Sequence, residues 1–161
     1  MEQWTTLARY NRWMNEKLME ECSKLSDEER KIDRGAPFRS IHGLWNHLHL
    51  ADRVWLSRFG FGEFSARSLD EEVFSGWEEL RAAQQEVDAT ISRWAASLTL
   101  EILGGELQFT PMSRPGQITL PMLQVALHFF NHGTHHRGQI SALMEQAGLD
   151  CGVTDLAAMP Q

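Results

Sequence analysis

The sequence predicts an all-α fold, namely a four-helix bundle with at least one long crossover connection and room for a short hairpin between helices three and four. Four segments of the 161-residue chain place apolar residues three and four positions apart, the spacing of one helix face. No convincing set of strands accompanies them. Because the connections between these segments are long, the chain need not run simply up and down.

The first two predicted helices lie in the N-terminal part of the chain. The first runs from about Trp4 to Leu25. The second starts near Ser40, whose hydroxyl suits an N-cap, and it ends where Gly60 and Gly62 break the pattern. Its apolar stripe comprises Ile41, Leu44, Leu48, Ala51, Trp55 and Phe59.

The other two predicted helices flank a segment rich in Gly and Pro. The third begins near Val73 and ends at Leu98, and Ser68 to Glu71 ahead of it resembles a capping box. The fourth begins at Thr119, with Pro121 in its first turn, and stops before Gly148. Between them, residues 106–110 and 117–120 alternate enough to form a short hairpin.

Composition and charge restrict the kinds of partner. Hydrophobic residues make up 42% and charged residues 23% of the chain, proportions that predict one globular domain over residues 1–161. The net charge of −7 argues against nucleic acid and against an anionic membrane surface as partners. The chain shows no long apolar run and no signal-peptide pattern, and its two cysteines lie far apart. We therefore expect a cytoplasmic protein with free thiols.

All seven histidines fall within residues 42–49 and 128–136. On the second helix, the helical phase places His47 near the apolar stripe, whereas His42 and His49 fall on the polar side. On the fourth helix, His132 and His136 lie on the stripe. His128 and His135 lie further round, on its flank. The sequence thus directs three imidazoles towards the interior.

The spacing of these histidines predicts a metal site. His132 and His136 are four residues apart, which brings both side chains within reach of one ion, and His47 supplies a third ligand from a facing helix. The competing interpretation is that each is a core histidine with its own hydrogen-bond partner, since an unpartnered buried imidazole costs about 1–3 kcal/mol. His128 could replace one ligand or add a fourth.

Three imidazoles suit a divalent transition metal such as Zn, Ni or Fe and leave an open coordination position, which is typical of catalytic sites. Asn131, Gln139 and Asp52 are expected to orient the imidazoles or a substrate. The sequence identifies no general base and no other catalytic residue.

Three stretches carry a family resemblance. Residues 40–55, Ser-Ile-His-Gly-Leu-Trp-Asn-His-Leu-His-Leu-Ala-Asp-Arg-Val-Trp, resemble the second-helix signature of the DinB/YfiT-like metalloenzymes. Residues 128–139, His-Phe-Phe-Asn-His-Gly-Thr-His-His-Arg-Gly-Gln, resemble their second signature, although Gly133 is a variable position. Residues 9–15 are similar to the opening of the family's first helix.

The resemblance implies a four-helix bundle with His47, His132 and His136 as metal ligands, and a homodimer. Some members of this family are S-transferases or isomerases that use low-molecular-weight thiols such as bacillithiol or mycothiol. The leading hypothesis is therefore an enzyme that acts on small molecules, an S-transferase in which the metal holds a thiol cosubstrate as its thiolate for attack on an electrophile. The alternatives are a metal-dependent hydrolase and a non-catalytic, dimeric stress-response protein that binds metal.

Overall fold

The computed structural model describes residues 1–161 and is mostly helical, with a small two-stranded sheet. The elements are α1 (Glu2–Cys22), α2 (Asp27–Lys31), α3 (Ile41–Arg58), α4 (Trp77–Ser97), α5 (Leu100–Leu103), β1 (Glu106–Phe109), β2 (Ile118–Pro121) and α6 (Met122–Gln146), followed by a 3-10 turn at Leu156–Ala158. The predicted helical character is confirmed, and the two strands form the short hairpin for which the sequence left room. None of the helices combines the length and apolar character that crossing a membrane requires.

The four long helices, α1, α3, α4 and α6, correspond to the four segments with helical periodicity. Helix α1 contacts α4 and α6, and α3 also contacts α4 and α6. The cyclic order is thus α1, α4, α3, α6, so the chain crosses between non-neighbouring helices both from α1 to α3 and from α4 to α6. This path contains the long crossover connection that the sequence predicts.

Local hydrogen bonds explain where the first three helices begin and end. Helix α1 stops at Cys22 rather than at Leu25, because Ser26 and Glu29 form a capping box that starts the separate helix α2. The sequence carries this Ser-x-x-Glu pattern, but helical periodicity alone extends the first helix to Leu25. The N-cap predicted at Ser40 is confirmed, since its hydroxyl accepts a hydrogen bond from the Gly43 amide at 3.0 Å.

The capping box predicted at Ser68 to Glu71 is wrong. Helix α4 begins at Trp77, and its N-cap, Gly76, makes no side-chain capping bond. The Glu71 carboxylate instead accepts a hydrogen bond from the Arg67 amide at 2.7 Å. The residues between α3 and α4 form an extended loop that lies against α3, and this loop contributes to the site described below.

The predicted hairpin is present and shifts the start of the last helix. Strands β1 and β2 are antiparallel, and Glu106 pairs with Pro121 while Phe109 pairs with Ile118. Residues 119–121 therefore belong to β2, and α6 begins at Met122 rather than at Thr119. The predicted end of α6 is confirmed, because Gly148 follows the last turn with a φ of +82°.

Two apolar clusters form the core, and polar residues separate them along the long helices. One cluster is built around Trp45 and Ile140, the other around Trp94 and Phe129. Between them, each long helix contributes buried polar side chains: Asn11 and Asn15 from α1, Asp52 from α3, Gln84 and Asp88 from α4, and His136 and Arg137 from α6. The centre of the molecule is thus polar, and the predicted metal ligands lie in this layer.

Candidate metal centre

The structure brings together the three histidines that the sequence singles out. His47 projects from α3, and His132 and His136 project from α6 one turn apart. The Nε2 atom of His136 lies 3.2 Å from Nε2 of His47 and 3.1 Å from Nε2 of His132. The candidate ligand atoms of all three residues lie within 4.8 Å of one another. This cluster could bind a metal ion.

Hydrogen bonds on the far side of two rings fix where their protons lie. The Nδ1 atom of His47 lies 2.8 Å from the carbonyl oxygen of Leu69, which can only accept, so Nδ1 carries the proton and donates it. Likewise, Nδ1 of His136 donates to Oε1 of Gln139 at 2.8 Å. The two Nε2 atoms that face each other at 3.2 Å therefore both present lone pairs. Such a pair repels unless a cation lies between the two nitrogens.

The donor set and its dimensions fit a divalent transition metal. A tetrahedral zinc ion with Zn–N bonds of about 2.0–2.1 Å separates its nitrogen ligands by roughly 3.3 Å. The separations of 3.1 and 3.2 Å in this structure are close to this value. The cluster holds neither carboxylate nor thiolate, so it suits ions that accept imidazole rather than Mg²⁺ or Ca²⁺.

Burial keeps these imidazoles neutral. Burial first, and then the neighbouring histidines, lower the pKa of His132 to about 3 and that of His136 to about 4. Burial also lowers the pKa of His47. Because a histidine binds metal in its neutral form, the three rings are in the ligating state at neutral pH without having to lose a proton.

A tight turn before α3 covers one face of His47. The ring of Phe38 stacks on the imidazole at a centroid distance of 3.7 Å and an interplanar angle of 13°. Phe38 itself has a φ of +59°, and a Cβ atom at Gly43 would lie 2.0 Å from the Phe38 carbonyl oxygen. The turn that places this ring therefore requires glycine at position 43.

The remaining histidines of the α6 segment lie outside the cluster. His128 is exposed, and its ring centroid is 5.7 Å from that of His132. His135 is also exposed and lies 3.2 Å from the amide nitrogen of Gln139. The structure thus assigns neither residue to the candidate ligand set.

Helical phase places His42 and His49 on the polar side of α3, but this side is not solvated. Both are buried: Nε2 of His42 lies 2.9 Å from the Phe74 carbonyl oxygen, and Nδ1 of His49 lies 3.0 Å from Oε1 of Gln84. The angular position of a residue around a helix separates one covered face from one solvated face, but α3 is covered on its polar side as well. The loop before α4 and the side chain of Gln84 provide that cover.

Of the three residues expected to orient the imidazoles, one does so. Gln139 accepts the hydrogen bond from His136 described above. Asn131 is exposed and makes no side-chain hydrogen bond. Asp52 is buried, but it accepts from Nε2 of Gln84 at 3.1 Å and contacts no cluster histidine. Burial, together with the nearby Asp88 carboxylate, raises the pKa of Asp52, which marks it as part of the polar layer.

Two contributors to the site are not among the residues that the sequence predicts. The Leu69 carbonyl is a main-chain group, so no residue type signals its role. Phe38 could have been found from Gly43, because a glycine in the first turn of a helix indicates a close approach by another part of the chain.

A cavity of about 270 Å³ opens beside the cluster. Its wall includes His47 and His132 from the cluster, His128, Trp55 and Arg58, and residues of the hairpin loop around Phe109. An adjoining cavity of about 480 Å³ shares Trp55, Phe109 and His128 with it. A small molecule can therefore approach the histidines from this side.

Comparison with known proteins adds independent information. The model of the DinB family matches residues 1–161. The Protein DinB of Bacillus subtilis (strain 168) is 28% identical over 159 residues, which cover 92% of this chain and 88% of that protein. A crystal structure of a DinB-like protein from Bacillus cereus matches with a TM-score of 0.65 and 21% identity over 94% of this chain and 93% of that one. The last match shows similarity of fold alone.

Proposed function

Because this chain belongs to the DinB family, we propose that it is a metal-dependent enzyme that joins a low-molecular-weight thiol to an electrophilic small molecule. His47, His132 and His136 hold the metal. One observation carries the proposal: two imidazole lone pairs face each other at 3.2 Å, with both protons held on the far sides of the rings. The thiol chemistry rests on the family resemblance of residues 40–55 and 128–139.

A bound divalent transition metal supplies Lewis acidity, which favours the anionic form of a thiol. The residues of this chain prepare the site. The Leu69 carbonyl and the Gln139 side chain hold the imidazole protons at Nδ1, so each Nε2 stays free to ligate. Phe38 covers one face of His47 and excludes water there, while the cavity on the other side admits the reactants.

The cavity favours thiol transfer over hydrolysis. No aspartate or glutamate lines its wall, so no carboxylate stands ready to act as the general base that hydrolases of this kind use on water. A thiol needs less help, because its pKa is far below that of water.

The test begins with protein purified without a histidine tag. We expect about one equivalent of Zn, Ni or Fe per chain in the wild type and in His135→Ala, and none in His47→Ala or in the double variant His132→Ala, His136→Ala. His135 is the matched control because it is adjacent to the cluster but outside it.

The metal-loaded protein is then assayed with bacillithiol, mycothiol, glutathione or cysteine and the electrophile 1-chloro-2,4-dinitrobenzene. Metal-dependent conjugation with at least one thiol supports the proposal. Turnover of an ester or amide without thiol would instead identify a hydrolase. A metal that raises the melting temperature while no substrate is turned over would identify a non-catalytic metal-binding protein, such as the dimeric stress-response protein considered above.

We further propose that the four long helices constitute one four-helix-bundle domain over residues 1–161, and that the protein acts as a cytoplasmic homodimer on small molecules. The family resemblance supports the dimer, as do the exposed leucines Leu123 and Leu127 on α6. The net charge of −7 supports a partner other than nucleic acid or membrane. Light scattering should give about twice the chain mass of 18.4 kDa, and a monomer would overturn the dimer.

A further inference from the structure

The two cavities beside the histidine cluster carry positive charge and no negative charge. Their combined wall contains Arg58 and Arg114 but neither aspartate nor glutamate. This is unusual for a chain with 22 acidic and 15 basic residues. On the opposite side of α3, by contrast, the cavity beside His49 is lined by Glu63 and Glu86 as well as Arg53. Acidic side chains are thus absent from the space that a reactant would enter.

Arg58 is held rigidly in this space and has no protein counter-ion. Its guanidinium carbon lies 4.5 Å from the ring centroids of both Trp55 and Phe109, and Nη2 donates to the carbonyl oxygen of Thr110 at 3.0 Å. The side chain is half-buried and forms no ion pair with a carboxylate. Its other N–H groups are free to donate to a ligand. A guanidinium with this geometry can bind a carboxylate with two parallel hydrogen bonds.

A row of rings connects the cluster to Arg58. The His132 and His128 centroids are 5.7 Å apart, those of His128 and Trp55 are 5.4 Å apart, and the Arg58 guanidinium packs on Trp55. Along α3, His47 and Arg58 are separated by about 16 Å of helix axis. The guanidinium folds back by roughly one turn onto Trp55, so it lies on the order of 10 Å from the cluster.

We propose that Arg58 binds a carboxylate at one end of an elongated small molecule whose other end reaches the histidine cluster. Arg58 is then a specificity-determining residue that selects anionic reactants. The assignment of a thiol to the other end rests on the proposed function, whereas recognition of the carboxylate by Arg58 does not.

The experiment measures binding by calorimetry to the zinc-loaded protein and does not depend on turnover. The probes are 3-mercaptopropionate, 6-mercaptohexanoate and 8-mercaptooctanoate, each paired with its neutral amide, and octanoate with octanamide as a pair without sulfur. Each pair is titrated into wild type, Arg58→Gln, Arg58→Lys and Arg53→Gln. Arg53 is the matched control because it also lies on α3 and packs on an aromatic ring, that of Phe64, at 4.1 Å.

We expect the wild type to bind at least one of the three mercapto acids at least about tenfold more tightly than its amide, the lower end for a hydrogen bond to a charged group. This ratio should fall to about one in Arg58→Gln, recover in part in Arg58→Lys and persist in Arg53→Gln.

Other outcomes test the assignment of Arg58 and the thiol part of the proposed function separately. An acid-to-amide ratio that is unchanged in Arg58→Gln, or no detectable binding of any carboxylate, overturns the assignment of Arg58. If octanoate binds as tightly as 8-mercaptooctanoate and still depends on Arg58, the assignment stands while the thiol part of the proposed function fails.

Discussion

Replacing Gln139 with leucine tests whether His136 is a metal ligand oriented by its neighbour. The substitution removes the acceptor that lies 2.8 Å from Nδ1 of His136 and leaves the cluster nitrogens in place. Loss of such an orienting partner typically weakens metal binding by about 10–100-fold, or about 1.4–2.7 kcal/mol. If His136 were a core histidine that binds no metal, the substitution would remove its hydrogen bond but would leave the metal affinity unchanged.

The same loss can be expressed as a melting temperature. For a chain of 161 residues, the entropy of unfolding is about 0.34 kcal/mol per kelvin near the midpoint. When zinc is in large excess over Kd, a weaker Kd reduces the stabilisation by the same free energy. The zinc-induced rise in Tm should therefore be about 4–8 °C smaller in Gln139→Leu than in wild type.

Chelator competition gives the affinity directly, and thermal melts with and without zinc give the stabilisation. The control is Asn131→Leu, on the same helix, because Asn131 is exposed and makes no side-chain hydrogen bond. It should change the zinc affinity by less than about twofold. If Gln139→Leu binds zinc as tightly as the control does, the inferred position of the His136 proton is wrong and the argument from opposed lone pairs fails.

Two further predictions concern stability. Gly138→Ala should raise the free energy of unfolding by up to about 1 kcal/mol, because a Cβ there meets open space. Gly133→Ala should not show this gain, because its Cβ would lie 3.1 Å from the buried guanidinium of Arg137. Urea unfolding of both variants checks this prediction, and equal stabilisation would contradict it. The second concerns metal-free protein: the folded-state pKa of His136, about 4, lies below its unfolded value near 6.5, so the unfolded state takes up the proton first as pH falls. Stability should therefore decline from about pH 6.5 towards pH 4, with His136 alone contributing a loss on the order of 1 kcal/mol at pH 5.5, and His136→Gln should show a correspondingly flatter pH profile.

The sequence predicts the site better than it predicts the surroundings of the site. The grouping of His47, His132 and His136 follows from the 3.6-residue repeat of the helix and from the four-residue spacing on α6, since both depend only on regular geometry. The four long helices are predictable for the same reason. The hairpin was also within reach, because its strands alternate in polarity.

The sequence could not predict how the loops, which follow no regular repeat, shape the surroundings of the site. The polar face of α3 looks solvated until the loop before α4 is placed on it, and only then do His42 and His49 become buried. Asp52 has the residue type expected of a group that orients a ligand, yet it bonds Gln84 of α4 instead. Such pairings depend on how distant segments meet, which helical periodicity does not encode.

The oxygen that accepts the hydrogen bond from His47 belongs to the main chain, so it is present whichever amino acid occupies position 69. Alanine scanning across the loop would leave this acceptor intact and would report Leu69 as dispensable. A one-residue deletion between α3 and position 69 would instead pull the peptide group away and free the ring to rotate or change tautomer. The site therefore depends on the length and path of this loop. Insertions and deletions test this dependence, whereas point substitutions do not.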